Sequence, residues 1–172
     1  MPTATDVLLE AHSRVRGLVA GALAGLSPEQ LAAQPDLGQG PGNSIGWLVW
    51  HLTRQEDVQV AGIRGGGEVW DQTWRERLAL PYPVEAMGYG MSAADVARFP
   101  AVAPEPLLAY QETVATATQS FVGSLGEADL ERVVDTRWDP PVTCLVRLVS
   151  IVDDAVQHAG QAAYLRGLLL GA

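Results

Sequence analysis

The sequence predicts an all-α fold, a four-helix bundle running up-down-down-up with a long connection between its second and third helices. Three observations predict it. Apolar residues recur at helical spacing in four runs of about 20 residues or more. Breaks rich in Gly and Pro separate the runs. The stretch 64–103, roughly 40 residues, is longer than antiparallel neighbours need and can return the chain for a parallel pair.

The first helix is expected over residues 3–24, with Leu8, Ala11, Val15, Leu18 and Ala22 at helical spacing. Ser27-Pro28-Glu29-Gln30 then places a cap, a proline and an acid to open a short helical turn. The segment 35–43 is a breaker. A second helix is expected from Asn43 or Ser44, as cap, to about Ile63, ended by Gly65-Gly66-Gly67. From there to residue 103 the chain reads as irregular, with short helical candidates over 74–78 and 92–99. Pro104 and Pro106 open a third helix reaching about Ser124. Residues 129–141 read as extended or loop, stopped by Pro140-Pro141. The fourth helix is expected over 143–169, ending at Gly171.

Composition excludes several functions. A chain of 172 residues buries enough surface to fold without metal or disulfide. Arg supplies all eleven basic residues, so Schiff-base chemistry and a phosphate-loop Lys are ruled out. The net charge of −9 argues against nucleic acid and anionic membrane surfaces as partners. One cysteine, Cys144, excludes internal disulfides and cysteine-rich zinc sites, and at a helix start it reads as a buried small residue. The longest apolar run, residues 17–26, is too short to span a bilayer. No basic start precedes it, so a soluble cytoplasmic protein is expected.

Three polar groups stand where apolar residues are expected. On the second helix Ile45, Leu48, Leu52 and Val58 mark an inward stripe, and His51 falls within it. On the fourth the stripe reads Ile151, Asp154, His158, Gln161, Leu165, Leu168. Asp154 and His158, at i and i+4, project within about 6 Å of each other. A carboxylate on such a stripe is costly unless paired or bound to a cation. Two imidazoles and one carboxylate supply three ligands and leave positions open for water or substrate, as catalytic sites do. Gln161, one turn on, can orient a ligand. The plainer alternative is a core histidine beside an ordinary Asp–His ion pair, since D-x-x-x-H is an unspecific pattern.

Other features read as structural. His12, beside Arg14 and Arg16, reads as an edge or surface residue. Gly38-x-Gly40-x-Gly42 follows no strand and contains Pro41, against a dinucleotide loop. Residues 123–126 do not match a nucleophile elbow. Trp47, Trp50, Trp70, Trp74 and Trp138 read mostly as core, and Asp153 as solvated or paired to an Arg.

Two strings, Ile45-Gly-Trp-Leu-Val-Trp-His51-Leu and Gln157-His158-Ala-Gly-Gln161-Ala-Ala-Tyr164-Leu-Arg166-Gly-Leu, resemble the DinB-like superfamily. That group includes the N-terminal domain of mycothiol-dependent maleylpyruvate isomerase and related thiol-transferase-like proteins. The stretch from Val133 to Thr143, containing Arg137 and Trp138, is similar to its actinobacterial branch. The likeness covers essentially the whole chain, implying one DinB-like bundle domain over 1–172, often a homodimer. It implies a divalent metal held by His51, Asp154 and His158, and cofactor-binding roles for Gln161, Tyr164 and Arg166. Zn, Ni and Fe suit such a donor set about equally.

The leading expectation is thus a metal-dependent enzyme using a low-molecular-weight thiol such as mycothiol. Its sulfur would become a nucleophile toward a small-molecule electrophile. The first alternative is metal-activated water for hydrolysis, which needs a base. Helix-face reasoning places only Gln55 and Gln161 beside the ligands, with Glu56 about 140° from His51. The long connection could supply Glu68, Asp71 or Glu76. The second alternative is a bundle that binds metal or small ligands without turnover.

Overall fold

The helices begin where hydroxyl and carboxyl side chains can satisfy orphan backbone N–H groups. In the structure, a computed structural model, Thr3 and Asp6 bond reciprocally at the start of α1 (Ala4–Leu23), and Ser27 and Gln30 do so for α2 (Pro28–Ala32). Ser44 caps α3 (Ile45–Arg64), which ends at Gly65 in the left-handed conformation, φ 71°. Two short helices follow, α4 (Gln72–Leu78) and α5 (Ala93–Val96), capped by Asp71 and Ser92. Pro104 is the first residue of α6 (Pro104–Gly123). Next come α7 (Glu127–Glu131), the antiparallel pair β1 (Val133–Asp135) and β2 (Val142–Thr143), and α8 (Cys144–Leu170), capped by Thr143. The structure describes residues 1–36, 38 and 40–171. Leu37 and Gln39, within the predicted 35–43 break and its Gly-x-Gly-x-Gly reading, lie outside the described residues, as does Ala172.

The protein is mainly helical, as predicted. Thr5 Oγ1 donates to the Leu125 carbonyl, and Arg16 lies 3.7 Å from Glu112, so α1 and α6 run antiparallel. Arg147 of α8 donates to Gln59 of α3, and nearer the other end His158 meets His51, so this pair is antiparallel too. Tyr110 bonds Asp57 while Thr118 lies further along beside Val60 and Arg64, so α3 and α6 run parallel. It follows that α1 and α8 are parallel. Among the described residues, no helix is long and apolar enough to cross a membrane.

The most buried element is α3, where every residue from Ile45 to Asp57 is buried. One inward stripe was predicted there. The difference arises from the 65–103 connection, which folds over what would otherwise be the solvent face. Arg54 donates through Nη1 to Glu68 (2.9 Å) and through Nε to the Ala86 carbonyl (3.1 Å). Asp57 accepts from the amides of Val69 and Trp70 (2.7 and 2.8 Å) and from the Tyr110 hydroxyl (2.8 Å). Buried charges require such partners, since each uncompensated one costs several kcal/mol.

Other expectations are corrected. His12 is not an edge residue but 3% exposed, because it continues the buried face Leu8, Val15, Val19 rather than that of its arginine neighbours. Trp138, on the turn between β1 and β2, is 64% exposed and outside the core. Residues 129–141 are not wholly extended, since α7 precedes a short hairpin. Leu168 is exposed and Val58 only partly buried. The buried face of α8 is Leu148, Ile151, Ala155, Ala159, Ala162 and Leu165, so Asp154 and His158 flank it rather than lie along it. Cys144 is buried as expected, and burial pushes its thiol up.

Candidate metal centre

Two helices meet at the triad. His51 occupies the first half of α3, and Asp154 and His158 the middle of α8. Ligand atoms of all three lie within 4.8 Å of one another. The structure thus brings together the three predicted metal ligands, from antiparallel helices.

Each imidazole is oriented by its second nitrogen. His51 Nδ1–H donates to the Met87 carbonyl at 2.6 Å, and His158 Nδ1–H donates to Gln161 Oε1 at 3.0 Å. Both bonds fix the tautomer and leave each Nε2 with its lone pair, the arrangement that metal-bound histidines adopt. Trp47 stacks on His51, with centroids 4.8 Å apart and planes tilted by 21°, and so restrains the ring further. The rings of His51 and His158 meet edge-on, with centroids 4.7 Å apart.

The electrostatics match this donor set. Burial holds the His51 pKa below its ordinary value, against a smaller upward effect of the Met87 carbonyl, so the ring is held neutral. The Asp154 carboxylate holds His158 above the usual value, against a smaller opposing effect of burial. Asp154 Oδ1 lies 3.6 Å from His158 Nε2, too far for a hydrogen bond, and Asp154 Oδ2 is buried without a partner. A neutral His158 therefore turns a lone pair toward a carboxylate, two acceptors facing each other. A proton or a cation between them removes the conflict. The orphaned Oδ2 and the paired outer nitrogens fit a divalent ion.

Reasoning from helix periodicity missed the outer support of His51. Met87 and Gly88 arrive from the long connection, 36 residues from His51 in sequence. A Cβ at Gly88, where φ is +95°, would lie 2.1 Å from His51 Nδ1. The only signal for this was a glycine within an irregular stretch. Gln161 and Tyr164, with Leu48 and Asn43, line a groove of about 350 Å³ beside the triad. Arg166 is not among its walls. It sits about 140° around α8 from Gln161, with Nη1 buried and unpartnered.

The family model described as mycothiol-S-transferase matches residues 7–171. A solved structure, described as a conserved protein from Enterococcus faecalis, is similar over 100% of both chains, at 31% identity and a TM-score of 0.90. No curated protein matches significantly. The resemblance to the DinB-like superfamily holds, and the chain belongs to the mycothiol-S-transferase family.

Proposed function

We propose that this member of the mycothiol-S-transferase family is a metal-dependent thiol transferase or isomerase, with His51, Asp154 and His158 holding a divalent Zn, Ni or Fe ion. The observation that carries the reading is the pair of outer hydrogen bonds, His51 to Met87 and His158 to Gln161, beside the unpartnered Asp154 Oδ2. Such an ion, when bound, favours the deprotonated thiol, whose free pKa is about 8.5. The chain's own residues do the rest. Trp47, Met87 and Gly88 keep the His51 ring in place, and Gln161 orients His158. Tyr164 and Leu48 offer an apolar wall to the body of the thiol or its electrophile. We assign Arg166 to cofactor binding on resemblance alone.

The runner-up, water activation for hydrolysis, needs a base at the triad. Glu56 is turned toward His12 on α1, and Glu68 is held by Arg54. The pairings of α1 with α6 and α8, and of α3 with the same two, support an up-down-down-up four-helix bundle forming one domain over 1–172. We further propose a homodimer, in the cytoplasm where free thiols stay reduced.

Metal analysis of protein purified without chelator, beside His51→Ala and His158→Ala, tests the site. Near-stoichiometric Zn, Ni or Fe is expected in the wild type and little in either variant. Removing the ion should lower thermal stability by the linkage RT ln(1 + [L]/Kd). Titration with a low-molecular-weight thiol should show binding that disappears in metal-free His158→Ala. Thiol binding that survives there overturns the reading.

A further inference from the structure

A second polar cavity lies on the same helix pair. It encloses about 280 Å³ between α3, β1 and α8, with Gln59, Asp135, Arg137 and Arg147 on its walls. Its charge is unbalanced. Asp135 accepts from the Arg137 amide (3.0 Å), Arg137 Nε (2.9 Å), Arg137 Nη2 (2.8 Å) and Arg147 Nη2 (2.7 Å). One carboxylate is thus shared by two guanidinium groups, leaving one positive charge over. Its acceptor capacity is filled, while both arginines keep N–H donors for another acceptor. In a chain of net charge −9, this is a local reversal of sign at a concave, partly buried place.

The cavity and the triad both lie on the seam between α3 and α8. Arg147 precedes Asp154 by seven residues on α8, and Gln59 follows His51 by eight on α3, so the two places are separated by about 10–12 Å of helix rise. Side-chain amides join them. Arg147 Nη1 donates to Gln59 Oε1 (3.1 Å), and Gln59 Nε2 donates to Gln55 Oε1 (3.3 Å), one turn from His51. Two guanidinium groups, each planar, on the wall of a cavity match a carboxylate in charge and in fork geometry.

We infer that Arg137 and Arg147 form an anion subsite that receives a carboxylate of the substrate while its sulfur or electrophilic end lies at the triad. The inference rests on the thiol-transfer reading for the second half of that statement only. Arg147, tied to α8 and to Asp135, supplies the fixed donors. Arg137 lies on the turn between β1 and β2 with its side chain 82% exposed, and can swing from Asp135 to the incoming anion.

The test is calorimetric titration of the full chain, loaded with Zn, using mercaptoalkanoates of increasing length and chain-matched mercaptoalkanols. The acid long enough to reach from the triad to the arginines should bind about ten-fold more tightly than its alcohol. Arg137→Gln and Arg147→Gln should reduce that preference to about two-fold or less. Arg137, being exposed, can be replaced without disturbing the fold, so its variant decides if Arg147→Gln unfolds. Equal binding of acid and alcohol, or a preference that survives both substitutions, overturns the subsite. Alkanoates and alkanols lacking the thiol, titrated against His158→Ala, separate the two readings. An arginine-dependent preference there sustains the subsite even if the triad holds no metal. Its absence there and in Zn-loaded wild type removes the subsite and leaves the metal centre standing.

Discussion

Gly88 and Glu56 show how single residues bear on the site and on stability. Gly88 has a conformation that L side chains rarely adopt, and an added methyl would collide with the His51 ring. Gly88→Ala should therefore displace His51 from the Met87 carbonyl and weaken metal affinity by about 10–100-fold, the usual cost of losing an outer partner. Competition titration with a chromophoric chelator measures this. Glu56 raises a different question, because it is buried 3.8 Å from His12, also buried. Burial pushes Glu56 up to about 7 and His12 down to about 4, so both stay neutral over the range between. For Glu56 the stabilising contribution is complete below its ordinary value of 4.5 and is lost as pH rises through about 7. For His12 the sign is opposite, and stability is lost as pH falls from 6.5 toward about 4. Glu56→Gln removes only the first dependence. The stability of that variant relative to wild type should grow by roughly 2–3 kcal/mol between about pH 5 and about pH 8, read by chemical denaturation at each pH. A gap that stays constant would show that Glu56 titrates alike folded and unfolded. The triad residues stood out because His51 falls on the apolar stripe of α3 and Asp154 and His158, one turn apart, border that of α8. His12 did not, because its arginine neighbours suggested solvent while its spacing from Leu8 and Val15 pointed inward.

At the scale of elements, α3 and the connection that covers it form one unit. Arg54 and His51 lie on the same side of α3 and donate to successive carbonyls, those of Ala86 and Met87. Arg54 touches no metal ligand, yet it fixes the strand of chain that orients His51. Its removal also leaves Asp57 and Glu68 without their guanidinium partner. Arg54→Met should cost about 3–5 kcal/mol, the usual penalty for breaking a buried ion pair, and should lower metal affinity as well. Measuring metal affinity at a temperature where the variant remains folded separates the two effects. Unchanged affinity would confine Arg54 to stability. Helix positions were legible from Ser44, Pro104, Thr143 and Gly65, since caps act locally. The folding of residues 65–103 over α3 was not, because it depends on Arg54 and Asp57 meeting backbone groups of a segment without periodicity. The same long-range pairing explains why α3 is buried on all sides despite its charged residues.

For the whole molecule, the long connection allows α6 to run parallel to α3, as the proposed up-down-down-up bundle requires. What loop length does not reveal is which surface stays uncovered. On α8 the residues Leu145, Val149 and Val156 form an exposed stripe, and Gly160, Ala163 and Gly167 continue it with small side chains. Asp154 and His158 lie about 160° and Gln161 about 140° around the helix from Val156, so this stripe is turned away from the triad. On α1 Val7 and Leu18 are exposed, on the side opposite Arg16, which faces α6. The two stripes thus border each other along the parallel pair α1 and α8 and make one apolar face. Exposed apolar residues on neighbouring helices are what an association surface offers, and small residues let two helices approach closely. The proposed homodimer uses it, leaving the groove between α3 and α8 open in both copies. Light scattering behind a sizing column should give twice the chain mass of 18.3 kDa. Val149→Glu, whose charge would be buried in the contact, should return the mass to that of one chain while metal content stays unchanged. A wild type that elutes as a monomer removes the dimer. A Val149→Glu protein that stays dimeric moves the interface to another face, and a monomer that has also lost its metal would mean that the partner copy supports the triad after all.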